Sequence, residues 1–189
     1  MEVYNRIFNG NIFSLVGKVD AICITTNGCI KKDGSNVMGK GVAKQARDKW
    51  PGLEFALGRL IKDNGNHVQK IINIEGTYIV SFPTKPDHIY IMNASDLNQK
   101  VVSYMRSKMS ITNFCPGWAC KSDINLIKQS ASELIELADK EGWKSVAIPK
   151  PGCSNGELNW KEVSGILSDI LDDRFIICDI GGKVNAGKK

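Results

Sequence analysis

Histidine is almost absent from this chain: its 189 residues contain two, His67 and His88. A histidine-based catalytic triad or a multi-histidine metal site therefore lacks its raw material. Long apolar runs are missing too. The best, Phe175-Ile176-Ile177-Cys178, has the length of a strand and not of a membrane span. The stretch Met1-Glu2-Val3-Tyr4-Asn5-Arg6 shows no signal-peptide apolar core, and the six cysteines (Cys23, Cys29, Cys115, Cys120, Cys153, Cys178) form no C-x-x-C pair. The thiols are expected to be reduced and the protein cytoplasmic. Neither sign of charge dominates: 25 Lys and Arg against 20 Asp and Glu leave +5, which permits an anionic ligand without demanding nucleic acid. No internal repeat is present. With 42% hydrophobic and 24% charged residues, the chain is long enough for one domain with a real core.

Periodicity places the elements. Val19 to Thr25 is a short apolar, partly β-branched run that stops at Asn27-Gly28, a buried strand feeding a loop. From Gly41 the pattern is helical until Pro51, with Val42, Ala43 and Ala46 on one face, and a second helix covers Leu53 to Lys62. Strand-like runs at 67–74 and 77–82 flank Glu75-Gly76, the signature of a hairpin. Ser122 is expected to cap a helix whose stripe runs from Ile124 to Ala138 and which ends near Lys140. A strand at 145–148, a Gly/Pro-rich loop at 149–159, a helix from Trp160 to Ile170 and a strand at 174–178 complete the series. Strands alternating with helices predict a layered α/β domain over 1–180, and the hairpin makes its sheet mixed. Residues 86–121 read as an insertion, with a short helix at 97–105, and the Gly- and Lys-containing stretch 181–189 as a loose basic tail.

Two glycine-rich loops join strands to helices. In Met38-Gly39-Lys40-Gly41-Val42, amides at a helix start are suited to phosphate. Gly34-x4-Gly39-Lys40 imitates a nucleotide-binding P-loop, but Gly41 stands where the Mg²⁺-binding Ser or Thr belongs. In Gly152-Cys153-Ser154-Asn155-Gly156-Glu157 the glycines permit a backbone curve whose amides converge. Cys153 has no nearby histidine to activate it and reads as a structural thiol. Glycines serving only tight turns are the alternative for both loops. Two phosphate loops on one α/β domain suit a ligand with two linked phosphates. Cys115 and Cys120 have no further nearby ligands to make a zinc site. Trp50, Trp143 and Trp160 read as packing anchors, and Trp118 as a candidate for stacking on a ligand.

In family order, Thr26-Asn27-Gly28, Val37 to Gln45, Pro51-Gly52-Leu53, Phe82-Pro83-Thr84-Lys85 and Pro149 to Trp160 resemble the macrodomains, the ADP-ribose-binding fold. The similarity is strongest to the branch of terminal ADP-ribose glycohydrolases and DarG-type enzymes that remove ADP-ribose from DNA. It implies a three-layer α/β/α sandwich with a mixed, mainly parallel sheet. It implies Asn11-Ile12 at the adenine, where relatives carry Asp-Ile, and Asn27 at the distal ribose, with Thr25 where many relatives have Asn. Gly39 to Val42 and Gly152 to Glu157 would hold the two sides of the diphosphate. Lys85 matches a catalytic lysine working at the anomeric carbon of the distal ribose, its amine made reactive by burial or by Lys40 or Lys150. Glu157 is the candidate acid/base, beside Gly156 where the glycohydrolases carry Asp. The implied activity is hydrolysis of the link between ADP-ribose and a nucleobase, protein carboxylate or 1″-phosphate. It requires no metal or other cofactor, and the partners would be ADP-ribose or ADP-ribosylated DNA or protein, met by a monomer away from membranes. A non-catalytic ADP-ribose-binding module is the alternative.

Overall fold

The computed structural model describes residues 6–111 and 114–179, so the tail expected at 181–189 lies outside the described residues. Eight strands and five α-helices occur among them: β1 Ile7–Asn9, β2 Ala21–Asn27, α1 Gly41–Lys49, α2 Leu53–Asn64, β3 Gln69–Ile74, β4 Thr77–Lys85, β5 His88–Tyr90, α3 Ala94–Lys100, β6 Phe114–Pro116, α4 Ile124–Glu141, β7 Val146–Pro149, α5 Trp160–Ser168 and β8 Phe175–Asp179. Six strands form one sheet in the order β1-β8-β7-β2-β4-β3. Every neighbouring pair is parallel except β3 with β4, whose antiparallel register closes through Ile74 and Thr77 around Glu75 and Gly76, both at positive φ (52° and 85°). The mixed, mainly parallel sheet expected from the hairpin is what forms.

Alternation along the strands divides the core into two layers. Ala21 and Cys23 of β2 face α4 and α5, joining Ile127, Ala131, Leu134, Val163 and Leu167. Ile22 and Ile24 face the opposite side, where Val42, Ala46, Leu53 and Leu57 of α1 and α2 cover them. This is the α/β/α sandwich. No helix among the described residues is long and apolar enough to cross a membrane.

Several boundaries differ from the sequence reading for physical reasons. The cap of α4 is Asp123 and not Ser122: the Asp123 side chain accepts from the amides of Asn125 and Leu126, while Ser122 is buried against the loop after β7. β4 runs on to Lys85 despite Pro83, because β3 ends its pairing at Gln69 opposite Ser81 and leaves that side of β4 without a ladder to break. The helix expected at 97–105 is split into α3 and a 3-10 turn at Ser103–Lys108, the chain being extended at Val101 and Val102. β1 and a 3-10 turn at Ile12–Leu15 were not foreseen. The insertion has a small core of its own, Ile91, Val101, Val102, Met105, Cys115, Ala119 and Cys120, behind the two-stranded β5–β6 ribbon.

Candidate active site

Strand order decides where the chemistry gathers. β7, β2 and β4 are adjacent and parallel, so their carboxyl ends lie at one edge of the sheet. From β2 the chain enters the first glycine loop, from β7 the second, and β4 ends on Lys85. Ligands of open α/β sheets occupy this edge.

The first loop leads from the extended Lys40 into α1, with no side-chain cap at the helix start. Among the described residues, the amides of Gly39, Lys40, Gly41 and Val42 donate to no protein acceptor, and Gly39 to Gly41 are exposed. Such unsatisfied amides, with the positive end of the helix dipole, favour an anion. In the second loop the amides of Ser154, Asn155 and Gly156 are likewise without a protein acceptor. The loops meet where a Cβ on Gly41 would come within 3.1 Å of the Asn155 side-chain nitrogen. Gly152 and Gly156 are required by the protein itself. Gly152 has φ 75°, and a Cβ on Gly156 would lie 2.1 Å from the Ser122 hydroxyl and 2.6 Å from the Gly152 carbonyl oxygen. The side chains of Ile12, Met38 and Val42 are buried in the α1–α2 layer, which leaves only their backbone for a ligand.

Lys85 stands between the loops, 9% exposed. Its Nζ donates to the carbonyl oxygens of Asn155 (3.0 Å) and Trp118 (3.4 Å). Burial is the main cause that brings its pKa down to about 8; Cys120 and Glu157 act in the opposite direction, and Lys40 adds to the lowering. The Cys120 thiol is itself pushed far up by burial, so it is neutral at that pH and offers the amine no charge. Of the two lysines expected to activate Lys85, only Lys40 bears on it. Lys150 pairs with Asp179 and lies over the Trp160 ring.

Glu157, at φ 59°, binds the insertion through its carboxylate, which also acts on Lys85 as a charge. Its Oε1 accepts from the Ser103 amide (2.7 Å) and hydroxyl (2.5 Å), and its Oε2 lies 3.8 Å from Lys121 and 3.9 Å from Arg106. Burial works against its ionisation, but the Ser103 hydrogen bonds and the two cations outweigh it and hold the carboxyl below its ordinary range. Glu157 is thus ionised at neutral pH and has no proton to give. On the other loop, the Lys40 Nζ sits 3.5 Å from the centre of the Tyr104 ring.

The remaining candidates have mixed placements. The Asn27 side chain braces the first loop, donating to the Val37 carbonyl (2.8 Å) and accepting from the Cys29 amide (2.9 Å). Asn36, which the sequence reading passed over, is fully buried and donates to the carbonyls of Asn27 (2.8 Å) and Cys29 (2.9 Å). The Asn11 oxygen caps the 3-10 turn by accepting from Phe13 N at 3.0 Å. Asn11, Phe13 and Ser14 form one wall of an open hollow of about 590 Å³, and Gln45, Asp48 and Lys49 of α1 form the other. That hollow lies against the second half of α1. Cys153 is half-buried, its thiol raised by burial to about 11. Trp143 is buried, whereas Trp118 is 36% exposed. Ser103, Tyr104 and the Trp118 carbonyl belong to the insertion, whose sequence has no readable period. The one available signal was its concentration of aromatic residues, Tyr90, Tyr104, Phe114 and Trp118.

No protein-family model matches the chain, and no curated protein sequence does. Solved structures do. The macrodomain of Mycobacterium tuberculosis DarG superposes with a TM-score of 0.62 at 21% identity, over 92% of this chain and 95% of that one. The macrodomain of Thermus aquaticus DarG gives 0.61 at 21%, with the same coverage. Thermosipho africanus DarTG, solved in complex with ADP-ribose, gives 0.63 at 18% identity over 94% of this chain, which spans 42% of that longer one. On this likeness, which extends over more than nine-tenths of its length, the chain has the macrodomain fold.

Proposed function

We propose that the chain binds ADP-ribose across its two amide loops and hydrolyses the bond between C1″ of the distal ribose and a terminal acceptor, with Lys85 as nucleophile. One observation carries this reading: a buried primary amine stands at the end of β4, between two loops that each present a run of amides with no acceptor among the described residues, Gly39 to Val42 and Ser154 to Gly156. The ADP-ribose in the DarTG complex supports the ligand assignment. At pH 7.5 an amine with a pKa of about 8 is roughly one-quarter unprotonated, against about one in a thousand for an ordinary lysine. The free amine attacks C1″, the bond to the acceptor breaks, and the acceptor leaves with the electron pair and takes up a proton. The ring oxygen then leaves C1″ as a hydroxyl, giving a protonated Schiff base. Water adds to C1″, the C–N bond breaks, and ADP-ribose leaves as the amine is restored. The loops bind and orient the diphosphate, and the insertion excludes bulk water from Lys85.

Among the acceptors, the surface beside Lys85 favours a nucleobase. The β5–β6 ribbon begins three residues beyond Lys85, and on it His88 stacks on Phe114 at 4.8 Å with Tyr90 edge-on to both. Tyr90 is 60% and Phe114 54% exposed. Exposed flat rings of this kind hold unpaired bases by stacking.

The test is turnover of ADP-ribosylated DNA, ADP-ribosylated protein and ADP-ribose-1″-phosphate by the native chain and by Lys85→Ala, beside calorimetry with ADP-ribose. The expected result is binding by both proteins and turnover by the native chain alone. Equal turnover by Lys85→Ala refutes the nucleophile, tight binding without turnover makes the chain a binding module, and absence of binding refutes the reading altogether.

A further inference from the structure

Two consecutive residues of the insertion touch the two loops: Ser103 reaches Glu157 on the second, and Tyr104 covers Lys40 on the first. Lys121 and Arg106, from either side of the same insertion, converge on the Glu157 carboxylate. Lys85 lies within this bridge, and its amine is shared between a carbonyl of the insertion, at Trp118, and one of the second loop, at Asn155. The left-handed backbone at Glu157 is an uncommon conformation for a residue with a Cβ, and here it aims the carboxylate at Ser103.

From this arrangement we propose that the insertion is a cover fastened to both loops by the Ser103–Tyr104 turn, and that Glu157, Ser103 and Tyr104 are positioning residues that hold the cover's Trp118 carbonyl on Lys85 and keep water from its amine. The groups that face that amine are the thiols of Cys115 and Cys120 from the insertion, Glu157 from the second loop and Lys40 from the first. Loosening the Ser103 and Tyr104 contacts deletes neither the Glu157 carboxylate nor the Lys40 amine, so the main change at Lys85 is the loss of its burial, the largest cause of its lowered pKa. The proposal deepens the reading of Lys85 as nucleophile, but its test needs no substrate and stands or falls separately from turnover.

The experiment is competitive acetylation of the intact protein with acetic anhydride between pH 6 and pH 11, read by mass spectrometry of the Lys85 peptide. The native chain is compared with Ser103→Ala and with the Ser103→Ala/Tyr104→Ala double variant. Hydrogen exchange on the same samples reports α4 and β2 separately from residues 100–121. Loss of the cover is expected to speed Lys85 labelling at high pH by about tenfold or more. It also moves the labelling midpoint up from about 8 toward that of an ordinary lysine, while exchange rises in 100–121 and stays slow in α4 and β2. The single variant should shift in the same direction by less, which keeps the test informative if the double variant fails to fold. An unchanged Lys85 midpoint and labelling rate, in a variant whose α4 and β2 remain protected, overturns the proposal.

Discussion

Burying an amine costs the folded state whenever the amine is protonated, and Lys85 allows the cost to be measured. The interval between an ordinary lysine near 10.5 and about 8 corresponds to about 3 kcal/mol. The native state gives up this proton near pH 8 and the unfolded chain keeps it to about 10.5. Between those values the unfolded chain binds more protons, and stability rises with pH; below pH 8 the penalty is present in full. Lys85→Met keeps the length and volume of the stem and removes the charge. It also leaves the carbonyls of Asn155 and Trp118 without a donor, at about 1 kcal/mol each. At pH 7 the variant should therefore be more stable than the native chain by about 1 kcal/mol. The pH dependence is the cleaner quantity, because the carbonyl terms and the titrating thiols are common to both measurements. Between pH 7 and pH 9 the advantage of Lys85→Met should shrink by about 1.3 kcal/mol, read from urea unfolding of both proteins at each pH. An advantage that is the same at both pH values, or that grows with pH, refutes the claim that the amine is buried and easily deprotonated.

Other positions give sharper yes-or-no outcomes. Gly156→Ala forces a Cβ against the Gly152 backbone carbonyl as well as the Ser122 hydroxyl, so thermal unfolding should show a loss of about 3 kcal/mol and calorimetry a weakened anion site. Cys153→Ser should leave turnover within about twofold of native, because a thiol raised to about 11 supplies almost no thiolate at neutral pH. Asn11→Asp keeps the bond to Phe13 N and adds a charged acceptor in the hollow beside α1, so the affinity for ADP-ribose should rise about 3- to 10-fold by calorimetry. Tyr90→Ala with Phe114→Ala should slow turnover of a nucleobase-linked substrate by about tenfold and leave a 1″-phosphate substrate unaffected, in steady-state assays of both.

The body of the domain was legible because its signals are local and repeated. Ala21 to Ile24 alternates between two buried layers, and the stripe Ile127, Ala131, Leu134, Ala138 has the period of a helix packed on a sheet. Glu75-Gly76 has the turn chemistry that an antiparallel pair needs, and it foretold the one reversal in the sheet. The two amide loops were readable for the same reason, since each is a glycine-rich junction between two strong patterns. What escaped was one partner of each long-range contact. Even at shorter range, no local pattern marks the bonds of the Asn27 side chain to Val37 and Cys29. Lys150 looked able to act on Lys85 because Asp179, its partner, lies at the far end of the chain on β8.

The insertion shows why such contacts matter more to the chemistry than the motifs do. Its seven buried residues lie on one short strand (Cys115), on two 3-10 turns (Met105 and Ala119) and in the links between elements (Ile91, Val101, Val102 and Cys120), with none on α3, too few in any one element to set up a period. Its position is fixed instead by contacts across large sequence separations: Lys85 with Trp118, Lys85 with Asn155 and Ser103 with Glu157 are 33, 70 and 54 residues apart. Phe-Pro-Thr-Lys at the end of β4 supplies an amine, but an amine at an exposed strand end is an ammonium ion at neutral pH. Where it is buried, its pKa falls to about 8, and a far larger share of it is unprotonated at neutral pH. The proposed nucleophile is thus specified jointly by a motif that the sequence displays openly and by an insertion whose placement no local pattern records.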